Sequence, residues 1–189
     1  MVLFKKKTSL DYILYTAIIL GGIFIDQLSK FLIDKFMMLE QSIPVIKDFF
    51  HITYRTNPGM AFSMMSEPDK RWIFIVFSTV AIIAFAAYLY LGHAENKLYG
   101  ASIAMVVSGG FGNMIDRIGI GFYVNSNGMG EVIDFIDFRG IWGAVFNIAD
   151  SFVCVGAGLM IFACVMDIIK EEKARKAISK ESSNDSDGK

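Results

Sequence analysis

Four long apolar segments, with carboxylates gathered at one end of them, constrain this chain more than any other feature. Trp72–Leu91 holds 20 residues without a formal charge, and Leu98–Ile115 holds 18 before running into Asp116. Ile141–Met166 holds 26 residues with Asp150 as its one carboxylate, and the apolar run Tyr12–Ile25 ends at Asp26. A helix rises ~1.5 Å per residue, so about 20 residues cross a hydrocarbon core of roughly 30 Å. An unpaired carboxylate in such a segment is costly, and a chain that keeps several at one depth has a use for them.

Composition agrees with a membrane chain. Of 189 residues, 54% are hydrophobic, which is high for a soluble domain. The net charge of −1 gives no electrostatic reason to expect a nucleic-acid partner. Cys154 and Cys164 lie ten helical residues apart, ~15 Å, too far to bridge each other. No Cys/His zinc spacing occurs, so neither a metal nor a cofactor is expected. Lys5–Lys7 ahead of an apolar stretch resembles a signal peptide, but no A-x-A-like site follows. That stretch is read as a retained first helix.

The expected architecture is mainly α: four transmembrane helices at about 12–33, 72–91, 98–118 and 145–169, within a membrane domain of residues 1–170. A small β-cradle is expected over about 44–66, where Ile52, Tyr54 and Thr56 alternate with Thr53, Arg55 and Asn57, and Asn57-Pro58-Gly59 signals a turn. Residues 171–189 read as a charged tail, disordered at its end. Lys5–Lys7, Lys97 and the tail lysines concentrate basic charge on one side, which favours both termini in the cytoplasm.

On this map Asp26, Asp116, Asp134, Asp137 and Asp150 gather near the outer surface, and the inner halves of the helices carry no carboxylate. Asn113-x-x-Asp116 and Asn147-x-x-Asp150 repeat one spacing on two antiparallel helices, each Asn sharing a face with its Asp. Two neighbouring carboxylates cannot easily both ionise; one holds a proton while the other activates water. Spacing nominates Asp116 and Asp150 as such a pair and leaves Asp134 open. There is no G-x-S-x-G elbow and no H-E-x-x-H, and His51 and His93 read as surface histidines. Blander readings stand beside these. Asp26 with Lys30, at i and i+4, fits an interfacial ion pair, Arg117 fits a headgroup contact, and the helix-3 glycines fit packing. A proton- or cation-coupled transporter would need polar residues across the whole bilayer, and a catalytically dead adaptor would not need both Asn-x-x-Asp motifs.

Five motifs in order carry a family resemblance: Asp26-Gln27-Leu28-Ser29-Lys30, Asn57-Pro58-Gly59-Met60-Ala61-Phe62, Gly112-Asn113-Met114-Ile115-Asp116-Arg117, Val132-Ile133-Asp134-Phe135 and Phe146-Asn147-Ile148-Ala149-Asp150-Ser151. With them the chain resembles the lipoprotein signal peptidases, the type II signal peptidases of bacteria. The resemblance implies an intramembrane aspartyl endopeptidase of the inner membrane, with its site near the outer face. The implied substrate is a diacylglyceryl-modified prolipoprotein, cut just before the lipidated cysteine. The implied catalytic pair is Asp134 and Asp150, in place of the spacing-based Asp116. Asp26, Lys30, Asn57, Gly59, Asn113, Asp116, Arg117, Asn147 and Ala149 become supporting or substrate-binding positions. Membrane lipids are the other implied partner, and the chain is expected to be a monomer. Met60, Gly110 and Pro58 depart from the family's usual residues. The loop around Phe122–Gly130 is longer than the family's, which leaves Asp137 as a competitor for Asp134's place.

Overall fold

The computed structural model describes residues 8–59, 71–91, 96–141 and 143–186. In chain order they form α1 (Ser9–Phe36), β1 (Ser42–Ile46), β2 (Phe50–Asn57), α2 (Arg71–Tyr90), α3 (Lys97–Arg117), β3 (Val132–Phe138), β4 (Val145–Phe146) and α4 (Ile148–Ser186). α1, α3 and α4 are each long and apolar enough to cross a membrane; α2 has 20 residues, with a shorter apolar stretch at Ile75–Tyr90. Leu10, Leu20, Phe24, Phe77, Val80, Ile161 and Phe162 point outward from the helices, as lipid-facing side chains do.

α3 is the hub, packing against α1, α2 and α4. Its buried residues include Gly100, Ala104, Val107, Ser108, Gly109 and Gly112, and small residues let helix backbones approach closely in a membrane. A Cβ on Gly109 would strike the Ala149 carbonyl oxygen of α4, and one on Gly112 would come within 2.6 Å of Asp26 Oδ2 on α1. Tyr15, Ile82, Leu89, Ile103 and Val107 form the core of this contact. At the end away from the sheet, polar ties join the helices: Asp11 to Lys97 at 3.0 Å and Asn96 to Asp167 at 2.8 Å. Asp11 is buried within the first turn of α1, so the far ends of the helices are not free of carboxylates as their sequence suggests.

The strands form one antiparallel sheet in the order β1-β2-β3-β4. The expected cradle thus begins at Ser42, its residues 60–66 lie outside the described residues, and it gains two strands from the segment between α3 and α4. Tyr54, Ile133 and Phe135 seat the sheet on Ile33, Met37 and Ile148 at the helix ends. Tyr54 Oη donates to Asp34 Oδ1 at 2.6 Å and pins β2 to α1.

Helix 4 departs from its expected 145–169 span at both ends. Val145 and Phe146 pair with Asp137 and Ile136 of β3, so the helix starts only at Ile148. Asn147 Oδ1 accepts from Asp150 N at 2.9 Å while Asp150 Oδ2 accepts from Asn147 N at 3.2 Å. That reciprocal pair is a capping box, and it fixes the helix start. Beyond residue 169 the helix runs on to Ser186, through the charged stretch expected to be a tail. Ion pairs one turn apart, such as Lys176 to Glu172 at 2.6 Å, favour that continuation.

Gly109→Val tests the close contact of α3 with α4. Overpacking against backbone is expected to lower stability by about 1–3 kcal/mol. Gly158→Ala, where an added Cβ meets nothing within 4 Å, is the control and should leave the melting temperature equal or higher. Thermal unfolding in detergent reads both, and equal melting temperatures would contradict the packing described.

Candidate active site

Where the sheet meets the helix ends, α1, β2, α3, β3 and the start of α4 bring polar side chains together inside an otherwise apolar bundle. Lys30, on the last turns of α1, is fully buried, and Asp26 and Asp116 are each 1% exposed. Lys30 Nζ donates to Asp26 Oδ2 at 2.8 Å, to Asp116 Oδ2 at 2.6 Å and to Asn113 Oδ1 at 3.0 Å. Three donors thus meet three acceptors, which satisfies an ammonium in full. The Asp26–Lys30 ion pair expected from their spacing exists, and Asp116 and Asn113 from α3 complete it. Asp26 Oδ1 also accepts from Ala149 N at 2.9 Å, placing a carboxylate against the free N–H groups of the first turn of α4.

Gln27 was not expected among the site residues, although it stands inside the first motif. Its Nε2 lies within hydrogen-bond distance of Gly112 O (3.1 Å), Asp26 Oδ2 (3.2 Å) and Asp116 Oδ1 (3.3 Å). Adjacency to Asp26 in sequence hides it, because neighbouring helix residues usually point apart.

A second layer sits directly on this one. Asn147 Nδ2 donates to Asp134 Oδ1 at 2.7 Å and lies 3.0 Å from Asn113 Oδ1. Asn113 Nδ2 donates to Asp150 Oδ1 at 2.8 Å. Asn57 Nδ2 donates to Asp134 Oδ2 at 3.1 Å, and Asn57 Oδ1 accepts from Gly59 N at 2.9 Å. Gly59 has φ +103°, a conformation that favours glycine, and this turn aims the Asn57 amide at Asp134. Arg117 Nη1 donates to Asn113 O at 3.3 Å, and a Cβ on Gly59 would stand 3.7 Å from Arg117 Nε. Arg117 thus touches the Asn57–Gly59 turn and the backbone of its own helix.

Asp134 is 4% exposed. Burial, and then the charge of nearby Asp150, push its carboxyl up to about 7, against the opposing pull of the Asn57 and Asn147 amides and of Lys30. The spacing-based pair of Asp116 and Asp150 therefore divides: Asp116 is held by Lys30, and the carboxylate coupled to Asp150 is Asp134. Asp137, three residues along β3, falls on the other strand face. There it accepts from Thr53 Oγ1 at 2.7 Å and from Arg139 Nε at 3.4 Å. His51 is buried rather than on the surface, its Nδ1 3.2 Å from Ser42 Oγ, because on β2 it pairs with Pro44 of β1 on one side and Asp137 of β3 on the other. His93 lies outside the described residues. Among the described residues no group of three or more His, Cys, Asp or Glu side chains is placed to hold a metal ion.

The loop after α3 closes over Asp116. Gly121 and Gly130 both lie against it, Phe122 packs on Phe31 of α1 with ring centroids 5.4 Å apart, and Val124 bridges to Gly130. Added side chains at the two glycines would collide with Asp116, so this loop is shaped to the network beneath it.

Comparison with known proteins gives this arrangement a family. The family model "Signal peptidase (SPase) II" matches residues 18–166. Lipoprotein signal peptidase of Caldanaerobacter subterraneus is 42% identical over 144 residues, covering 74% of this chain and 90% of that protein. The namesake from Geobacter sulfurreducens is 40% identical over 169 residues, covering 88% and 97%. A bacterial membrane enzyme solved by the in meso method at 1.9 Å superposes with a TM-score of 0.71 at 30% identity, covering 87% of this chain and 99% of that one. With both the match along the chain and the match in fold, the chain belongs to the signal peptidase II family of bacterial membrane proteases.

Proposed function

We propose that this protein is an intramembrane aspartyl endopeptidase that removes signal peptides from diacylglyceryl-modified prolipoproteins, cutting just before the lipidated cysteine. The observation that carries the reading is the coupled pair of Asp134 and Asp150, tied through Asn147 and Asn113. A buried carboxyl raised to about 7 beside a second carboxylate is the electrostatic condition for holding one proton between two acids. One then serves as acid and the other as base toward a water and the scissile amide. Such chemistry needs neither a side-chain nucleophile nor a metal.

The same reading sets the protein in the bacterial inner membrane as a monomer, with both termini in the cytoplasm. The sheet and the dyad then lie near the outer face. The substrate's acyl chains stay in the outer leaflet while its signal helix spans inward. Each buried CH₂ contributes about 0.8 kcal/mol, so the lipid supplies much of the binding and the aspartates supply the chemistry.

Asp134→Asn and Asp150→Asn should each abolish cleavage of a lipidated precursor while the protein still inserts, because each removes a proton-transfer group at nearly constant volume. Asp137→Asn should keep substantial activity. A dead Asp137→Asn beside an active Asp134→Asn would overturn the assignment, as would loss of activity in EDTA that zinc restores. Unlipidated precursor in detergent micelles should be cleaved far more slowly, through binding; equal cleavage of the two precursors would refute lipid dependence. Asn127→Cys should label from outside and Lys176→Cys from the cytoplasm, in a background lacking Cys154 and Cys164. The reverse pattern would invert the topology.

The pH dependence has a definite sign. Asp134 keeps its proton below about 7, so kcat/KM should fall as pH rises through that value. Stability should follow the same direction. An aspartate in the unfolded chain titrates near about 4, so between about 4 and 7 the native state holds a proton that the unfolded state does not. That contribution is full below the window and lost as pH rises through it. Thermal melts across this range should show the loss in the unsubstituted protein and a flatter profile in Asp134→Asn.

A further inference from the structure

The two carboxylates of the dyad stand in unlike surroundings, and the difference originates in Lys30. Asp150 is the third residue of α4, where free N–H groups and the helix dipole favour a negative charge. Its Oδ2 accepts from Asn147 N at 3.2 Å and its Oδ1 from Asn113 Nδ2 at 2.8 Å. Asn113 cannot turn its amide round. Its Oδ1 faces the Lys30 ammonium at 3.0 Å, and an ammonium has donors only. The Nδ2 group must therefore face Asp150. A cation on the amide oxygen also draws density from the nitrogen and strengthens the N–H that Asp150 receives.

Asp134 is placed differently, and the pull of Lys30 on it is outweighed by burial and by the charge of Asp150. It lies on β3, more deeply buried than Asp150, and its donors are the neutral amides of Asn57 and Asn147. Burial and the neighbouring charge both favour its protonated form.

We infer that Asp150 is the resting carboxylate and takes the proton of the lytic water, that Asp134 presents the shared proton to the carbonyl oxygen, and that Asn113, held by Lys30, is the positioning residue that enforces this division. The inference rests on the peptidase reading above. In the first step the water oxygen bonds to the carbonyl carbon, its proton passes to Asp150, and the Asp134 proton passes to the carbonyl oxygen. In the second the C–N bond breaks, Asp150 gives its proton to the leaving nitrogen, and Asp134 recovers a proton from the diol. Both aspartates return to their starting states, and one peptide bond and one water become an acid and an amine.

Infrared titration of the whole protein in detergent micelles reads the proton directly. A carboxylic C=O band should disappear as pH rises through about 7. That band should be absent in Asp134→Asn and retained, with a lower midpoint, in Asp150→Asn. Loss of the band in Asp150→Asn with retention in Asp134→Asn overturns the division of roles, and so does a band that survives both substitutions. Asn113→Leu should move the acidic limb of the kcat/KM profile up by about one pH unit, the equivalent of one lost hydrogen bond to a charged group, and leave the alkaline limb in place. A drop that is uniform across pH would mean a merely structural Asn113 and would overturn its part. If Asn113→Leu does not fold, the infrared comparison still decides. Cleavage by both Asp134→Asn and Asp150→Asn would sink the peptidase reading itself, whereas two inactive variants with a band that follows Asp150 would sink only this inference.

Discussion

The buried ammonium of Lys30 is the interaction on which the rest of this site depends. Three groups from two helices converge on it, all withdrawn from solvent. An isolated charge at such a place is very costly, and removing one partner of a buried pair costs about 3–5 kcal/mol. Two carboxylates for one ammonium leave an excess negative charge, which the N-terminus of α4 offsets through the Ala149 N–H on Asp26. Lys30 thus links α1 to α3 directly and to α4 through Asp26. The glycines of α3 allow this approach, since a Cβ at Gly109 or Gly112 would strike α4 or Asp26.

The amides of Asn113 and Asn147 carry that rigidity to Asp134 and Asp150. Each asparagine has one donor group and one acceptor, and each is engaged at both ends. Their orientations are fixed by their partners. Asn147 is at once the cap of α4 and a donor to Asp134, so forming the helix start also sets one wall of the site. A site on helix ends and a sheet is held more firmly than one on free loops. Exposed apolar side chains on α1, α2 and α4 face outward, so polar residues point in where water is scarce and partners are obligatory.

Much of this was legible from residues alone. Helix positions followed from apolar run length, and α1, α2 and α3 start and stop within a turn of expectation. The start of α4 did not follow, because Val145 and Phe146 read as helix until β3 is there to pair with them. The four-stranded sheet was hidden for a related reason: β2 and β3 meet across about eighty residues of chain, and local alternation cannot name a distant partner. Spacing placed Asn and Asp on common faces but could not show that Lys30 claims Asp116 while the charge of Asp150 acts on Asp134, since both depend on how the helices pack. His51 read as a surface residue because its burial comes from cross-strand neighbours. Gln27 stands inside the first motif, but its adjacency to Asp26 hides its part, because neighbouring helix residues usually point apart.

A double-mutant cycle on Lys30→Met and Asp116→Asn, followed by thermal or denaturant unfolding in detergent, tests charge compensation most directly. Lys30→Met alone leaves Asp26 and Asp116 facing each other without a cation and should destabilise strongly. Adding Asp116→Asn removes one of those charges, so the double variant should be more stable than Lys30→Met alone, with a coupling energy of about 1–3 kcal/mol. Strictly additive effects, or a Lys30→Met protein as stable as the unsubstituted one, would contradict the role assigned to this buried ammonium.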